Sequence, residues 1–212
     1  CGAVLLLIAT VLLVPASRHA LLARLPTARI VQLNGLFLGY GVEREVRLPM
    51  HDGISLAASL YLPRERTRKL AAILVRLPYG RLYQDEALMA AEHFAGQGYA
   101  VLVEDLRGTG GSGGELLPYR GDIEDGAATL DWIVAQSWSN GRVATYGCSS
   151  LGETQYVLAR AHHPALRAMI PLAAGGVTGS AAGRYSYGIY EGGVFELASG
   201  FSWFVENGTK DP

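Results

Sequence analysis

The sequence predicts an α/β fold built on a mostly parallel sheet. Short apolar runs recur along the chain, separated by segments with helical spacing. Strands covered on both faces read as such continuous apolar runs, and helices are what cover them. The first two strands instead sit on either side of an Asp-Gly pair, the mark of an antiparallel hairpin.

Each element has its own signal. Glu43–Leu48 (EREVRL) alternates polar and apolar, the strand period. Asp52-Gly53 turns the chain into a second strand, Ile54–Leu62 (ISLAASLYL). Ala71–Leu77 (AAILVRL) is a strand buried on both faces. Asp85–Gln97 has helical spacing and is closed by Gly98. Ala100–Glu104 (AVLVE) is the next buried strand. Asp122–Gln136 starts with acidic residues, which suit the positive end of a helix. Asn140-Gly141 turns into the strand Arg142–Tyr146; a helix over Ser149–Ala161 and a strand over Leu166–Leu172 follow. Beyond Leu172 glycines and aromatics replace the alternation.

Composition excludes several classes. Half of the 212 residues are hydrophobic and 17% are charged, which rules out disorder, collagen and a coiled coil. A formal net charge of −1 argues against a nucleic-acid partner. Cys1 and Cys148 are too few for a disulfide scaffold or a zinc site, and nothing calls for a metal or organic cofactor. No acidic residue precedes Glu43, whereas Arg18, Arg24 and Arg29 do. Ala3–Val14 is almost wholly aliphatic, and Val14-Pro15-Ala16 offers a signal peptidase small residues with cleavage after Ala16. Ile30–Val42 is a second uncharged stretch, broken by Asn34 and glycines. The expectation is an exported or membrane-anchored protein: residues 1–42 as signal or anchor plus linker, 43–175 as the α/β core, and 176–212 as a further region. A buried core helix is the other reading of the first segment.

The chemistry concentrates at Gly147-Cys148-Ser149-Ser150-Leu151-Gly152, between a buried strand and a helix. A nucleophilic serine needs a tight strand-to-helix turn, and small neighbours relieve the crowding there. The helix amino terminus behind it favours developing negative charge. The generic turn has its second glycine two residues after the serine; here that position is Leu151 and the glycine is one further on. Such a segment is otherwise simply a structural turn.

This offset, with four other blocks, resembles the CocE/NonD hydrolases and X-prolyl dipeptidyl peptidases, a branch of the α/β-hydrolases. MHDGISLAASLYLP is similar to their opening hairpin, RLPYGR to their Asn-Pro-Tyr segment, and GYAVLVEDLRGTGGSGGE to their Asp-x-Arg-Gly block. DWIVAQSWSNGRVATYGCSSLG and GCSSLGETQ resemble the approach to the serine and its turn, G-x-S-Y-x-G in the family. The resemblance covers roughly residues 43–205. It implies an α/β-hydrolase fold with Ser149 as nucleophile. It implies an oxyanion hole made by the backbone N–H of Ser150 and the phenol of Tyr79. Ser150 stands where the family usually has Tyr, which leaves a backbone donor intact but alters the pocket. Tyr79 is otherwise a packed strand-end tyrosine.

Asp105 lies in a glycine-rich loop at a strand end. As a triad acid it would precede the serine, against the order Ser, acid, His of this fold; the preferred reading is a structural pair with Arg107 that braces the loop. A phosphate-binding reading of GTGGSGG lacks the Lys-Ser/Thr and the helix that should follow. A serine nucleophile also needs a histidine base held by an acid. His19, His51 and His93 precede Ser149, and His162 and His163 lie at the far end of the following helix. The expectation is a fragment whose acid and His lie downstream, after a helical cap that residues 176–212 approach; a pseudoenzyme is the alternative. The resulting expectation is a serine hydrolase acting on a small-molecule ester or amide. An X-Pro dipeptidyl-peptidase acting on peptides is the runner-up, though no acidic cluster for a substrate ammonium is identifiable. A non-catalytic, membrane-tethered module is the third reading.

Overall fold

The computed structural model describes residues 39–82, 84–116 and 121–174, with 190–191, 194–195 and 205. Six strands, β1 (Tyr40–Pro49), β2 (Ser55–Pro63), β3 (Leu70–Leu77), β4 (Ala100–Asp105), β5 (Ser139–Cys148) and β6 (Leu166–Leu172), form one sheet. Three helices connect them: α1 (Asp85–Gly96), α2 (Asp122–Ala135) and α3 (Ser150–Ala159). The sheet order is β1-β2-β4-β3-β5-β6. β1, β2 and β4 pair antiparallel; β4, β3, β5 and β6 pair parallel. The expected hairpin and parallel sheet are both present. Two further short strands, β7 (Tyr190–Glu191) and β8 (Val194–Phe195), pair with each other.

The central strands bury both faces, which is why their sequences read as unbroken apolar runs. Along β3, Leu70, Ala72 and Leu74 enter one core while Ile73, Val75 and Leu77 enter the other. β4 does the same with Ala100 and Leu102 against Val101 and Val103. Ala87, Leu88, Ala91 and Ala95 bring α1 onto the second face. Ala128, Leu130 and Ile133 of α2, with Leu158 of α3, cover the first. Each fully buried Leu or Ile contributes about 1.5–3 kcal/mol of transfer free energy.

Four details differ from the sequence reading. β1 begins at Tyr40, which is fully buried, so the end of the uncharged stretch 30–42 belongs to the sheet. Asn140-Gly141 lies within β5 and does not precede it. Leu70 pairs with Ser139 and Ala72 with Val143, and the extra residues of β5 are absorbed where Gly141 takes φ +78°. α3 is ten residues long, not thirteen. β6 is half-exposed, with Ile170 and Leu172 each 41% accessible. The apolar segment Ala3–Val14 lies outside the described residues, as does most of 176–212. No helix among the described residues is long and apolar enough to cross a membrane.

Candidate active site

The sheet has a topological switch point between β3 and β5. β3 leads into α1 on one face, and β5 leads into α3 on the other. The two loops therefore part at the carboxyl ends of neighbouring parallel strands, which opens a crevice where α/β proteins bind ligands. Ser149 directly follows β5, and Tyr79 lies two residues beyond the end of β3. The topology thus brings both predicted residues to one end of the sheet.

Ser149 caps α3 with φ 56° and ψ −124°, a conformation costly for a residue with a Cβ. Its backbone N–H donates to the carbonyl of Leu172 at 2.9 Å, and its own carbonyl accepts from Gly152 at 2.8 Å and Glu153 at 3.0 Å. The turn closes only because its flanks are glycines. A Cβ on Gly147, at φ +154°, would stand 2.3 Å from that of Leu151, and one on Gly152 would stand 2.5 Å from that of Ala174. This explains the second glycine three residues after the serine: the position between is Leu151, which is 1% exposed and packs into the α1 core. Ser150 is the first residue of α3, ahead of the intrahelical ladder, so its N–H faces the end of the helix that favours an anion.

Gln155, also in α3, was not singled out from the sequence. Its carboxamide accepts from Thr145 Oγ1 at 2.8 Å and from the Ile170 N–H at 3.1 Å. It donates to the carbonyls of Gly147, Leu151 and Ile170 at 3.2–3.3 Å. One side chain therefore ties β5, β6 and the first turn of α3 together. It is buried, six residues after Ser149 in GCSSLGETQ, and nothing in the sequence alone marks it as such.

Tyr79 is half-buried and packs against the core under α1. The expected pairing of Asp105 with Arg107 is not formed. The Asp105 carboxylate instead binds Arg81, through the backbone N–H to Oδ1 and through Nη1 to Oδ2, both at 2.5 Å. Arg107 turns to Asp125, with hydrogen bonds of 2.6 and 2.8 Å, and to Asp52 at 2.7 Å. The reason is the sheet: β3 and β4 are neighbours, so the turn after β3 lies beside the end of β4. The hydrogen bond from Arg107 holds the Asp52 carboxyl below its ordinary range, with help from the Ile54 N–H.

A buried ion pair lies between the ends of the same strands. Arg76 Nε donates to Glu104 at 2.7 Å, and neither side chain is more than 2% exposed. Thr129 donates to the second Glu104 oxygen at 2.6 Å, and Arg76 Nη1 to the carbonyl of Asp122 at 3.0 Å.

The described histidines do not approach Ser149. His51 lies in the hairpin turn and His93 on the exposed side of α1. His162 and His163 follow α3 and precede β6, at the opposite end of the sheet. His163 Nε2 lies 3.0 Å from Asp131 Oδ1, while its Nδ1 accepts from the Ala165 N–H at 3.2 Å.

A sheet of this order, carrying a strained serine between β5 and its helix, is that of an α/β-hydrolase. The chain belongs to the X-Pro dipeptidyl-peptidase (S15) family, whose sequence profile matches residues 52–211. It is 37% identical over 136 residues to the cocaine esterase of Rhodococcus sp. (strain MB1 Bresler), covering 62% of this chain and 23% of that protein. The structure resembles a CocE/NonD family hydrolase from Staphylococcus aureus, with a TM-score of 0.55 and 27% identity over 60% of this chain and 26% of that one. It also resembles an α-amino acid ester hydrolase, with a TM-score of 0.54 and 28% identity over 63% of this chain and 26% of that one. The chain thus spans about a quarter of the length of each of these three relatives.

Proposed function

We propose that the protein is a serine hydrolase that cleaves an acyl ester or amide through Ser149. The carrying observation is the Ser149 backbone, held at positive φ by a turn that tolerates only glycine on either side. Such strain is retained where it presents a reactive atom. Ser149 Oγ attacks the acyl carbon and loses its proton to a general base, which passes it to the leaving oxygen or nitrogen so that the alcohol or amine departs as the acyl-enzyme forms. Water then attacks the same carbon, and Ser149 recovers its proton as the acid leaves. The Ser150 backbone N–H and the Tyr79 phenol hold the oxyanion of each tetrahedral state. The described histidines lie elsewhere, so the base comes from outside the described residues. The relatives named for ester cleavage support an ester substrate. The family's own description supports X-Pro dipeptide release as the second reading. The apolar segment Ala3–Val14 supports export or membrane tethering.

The test is labelling of the full-length protein with a fluorophosphonate. Ser149 should carry the label, and Ser149→Ala should abolish it; labelling that persists in the variant sinks the assignment. Comparing an aryl ester with an X-Pro amide separates the two substrate classes.

A further inference from the structure

We infer that Asp105 is a positioning residue for Tyr79, acting through Arg81, and that the glycine-rich loop exists to enclose its carboxylate. This rests on the reading of Tyr79 as an oxyanion donor.

Tyr79, Gly80 and Arg81 form the turn that leaves β3, with Gly80 at φ +87°. A phenol projecting from a turn is only as well placed as the turn itself. The turn is anchored to the sheet through Arg81, whose side chain is 3% exposed despite its charge. Its backbone N–H and its Nη1 grip the two oxygens of Asp105, while Nε donates to Ser59 at 3.1 Å and Nη2 to Glu45 at 3.1 Å. The fork is therefore fixed to β4, β2 and β1 at once. Asp105 is itself 1% exposed, so the pair is a buried one, in which geometry is strongly enforced.

The loop after β4 completes the enclosure. The Gly111 N–H donates to Asp105 Oδ2 at 2.9 Å. A Cβ on Gly110 would stand 2.3 Å from that same oxygen, and one on Gly111 would stand 3.1 Å from Arg81 Nη1. Ser112 Oγ donates to the Asp105 carbonyl at 2.7 Å and accepts from the Ala57 N–H at 2.8 Å, which stitches the loop to β2. The glycines of GTGGSGG thus cradle an anion, as glycine-rich loops do for phosphate, but the anion is the protein's own carboxylate.

A double-mutant cycle on the full-length protein tests this, because a residue that only supports folding gives effects that add to those of Tyr79. Tyr79→Phe should lower kcat by roughly 10²–10³, the usual loss for one oxyanion donor. Asp105→Asn should lower kcat by up to about 10² with KM little changed, since a misplaced catalytic group costs on that order. Asp105→Asn should then cost nothing further in the Tyr79→Phe background. Additive losses, or wild-type kcat in Asp105→Asn, overturn the inference while leaving the oxyanion reading intact. Wild-type kcat in Tyr79→Phe overturns the oxyanion reading and this inference with it. If circular dichroism shows Asp105→Asn unfolded, Arg81→Lys takes its place in the same cycle. Non-additivity then supports the inference and additivity overturns it.

Discussion

Ser149 and Leu172 are joined by a single backbone hydrogen bond of 2.9 Å, which fixes the residue after β5 to the last residue of β6. The position of the candidate nucleophile is therefore set by a strand that follows it in sequence. Gly152 makes this closeness possible: a Cβ there would lie 3.1 Å from the Leu172 carbonyl and 2.5 Å from the Ala174 Cβ.

Gly152→Ala should therefore lower stability by about 1–3 kcal/mol, the usual cost of forcing extra volume into a packed site. The denaturation midpoint in urea measures it. Because α3 and β6 must part to admit the methyl group, fluorophosphonate labelling of Ser149 should slow in the same variant. Wild-type stability would show that β6 moves freely and does not set the turn.

Much of this was legible in the sequence, for definable reasons. β3 and β4 are apolar at almost every position because both faces are covered, and their apolar runs reveal them at once. The serine turn was legible from two glycines whose contacts leave no room for a side chain. The partner of Asp105 was not. Arg107 is two residues away and Arg81 is 24 away, and only the pairing of β3 with β4 makes the distant one the neighbour. Gln155 was missed for a related reason: an amide within a helix reads as a solvated face until β6 is laid beside it.

The pair Arg76–Glu104 should respond very differently to single and double substitution. Glu104→Gln takes from a buried guanidinium the carboxylate it is hydrogen-bonded to, leaving only the more distant Asp122 and Asp125, which costs up to about 3–5 kcal/mol. Replacing both residues together, Arg76→Met with Glu104→Leu, removes the charges and should recover most of that loss. Chemical denaturation of the two variants checks this. A double variant no more stable than the single one would show that the pair contributes more than mutual neutralisation.

Asp52 gives a pH dependence with a definite sign. Its carboxyl is held below the ordinary 3.8 by the hydrogen bond from Arg107. A depressed folded-state pKa means that the unfolded chain binds the proton more readily. The stabilisation is complete above the unfolded value and disappears as the pH falls through the folded one. Wild type should therefore be more stable than Asp52→Asn at pH 7, and the gap should close below about pH 4. Since Asp52 is exposed, the gap at pH 7 should be small and should shrink in high salt. Urea midpoints at the two pH values decide it; a gap that is unchanged in acid contradicts the assigned cause.

His163 and Asp131 have the composition of a catalytic dyad, yet they should prove irrelevant to turnover. The imidazole is not held as an orienting acid holds it: Nδ1 accepts from Ala165, so Nε2 carries the proton toward Asp131 at 3.0 Å and neither nitrogen is left free as a base. A general base must also reach the hydroxyl proton within about 3 Å, or through one water. Ser149 caps the amino end of α3, whereas His163 lies beyond its carboxyl end. Ten residues at about 1.5 Å per residue put roughly 15 Å of helix between them. The helix is pinned to β5 and β6 through Gln155, so no local motion closes that distance. The contact also serves a structural purpose, since it joins the exposed side of α2 to the loop entering β6. His163→Ala and Asp131→Ala in the full-length protein should therefore keep wild-type kcat and KM for an aryl ester. Asp131→Ala should lower stability by at most about 1 kcal/mol, since that carboxylate is exposed, while His163→Ala, whose ring is largely buried, should cost somewhat more through lost packing. The opposite outcome is a folded His163→Ala variant whose turnover drops by roughly a hundredfold or more, the loss expected when a general base is removed. That result would place the base at the wrong end of the sheet and undo the assignment of Ser149.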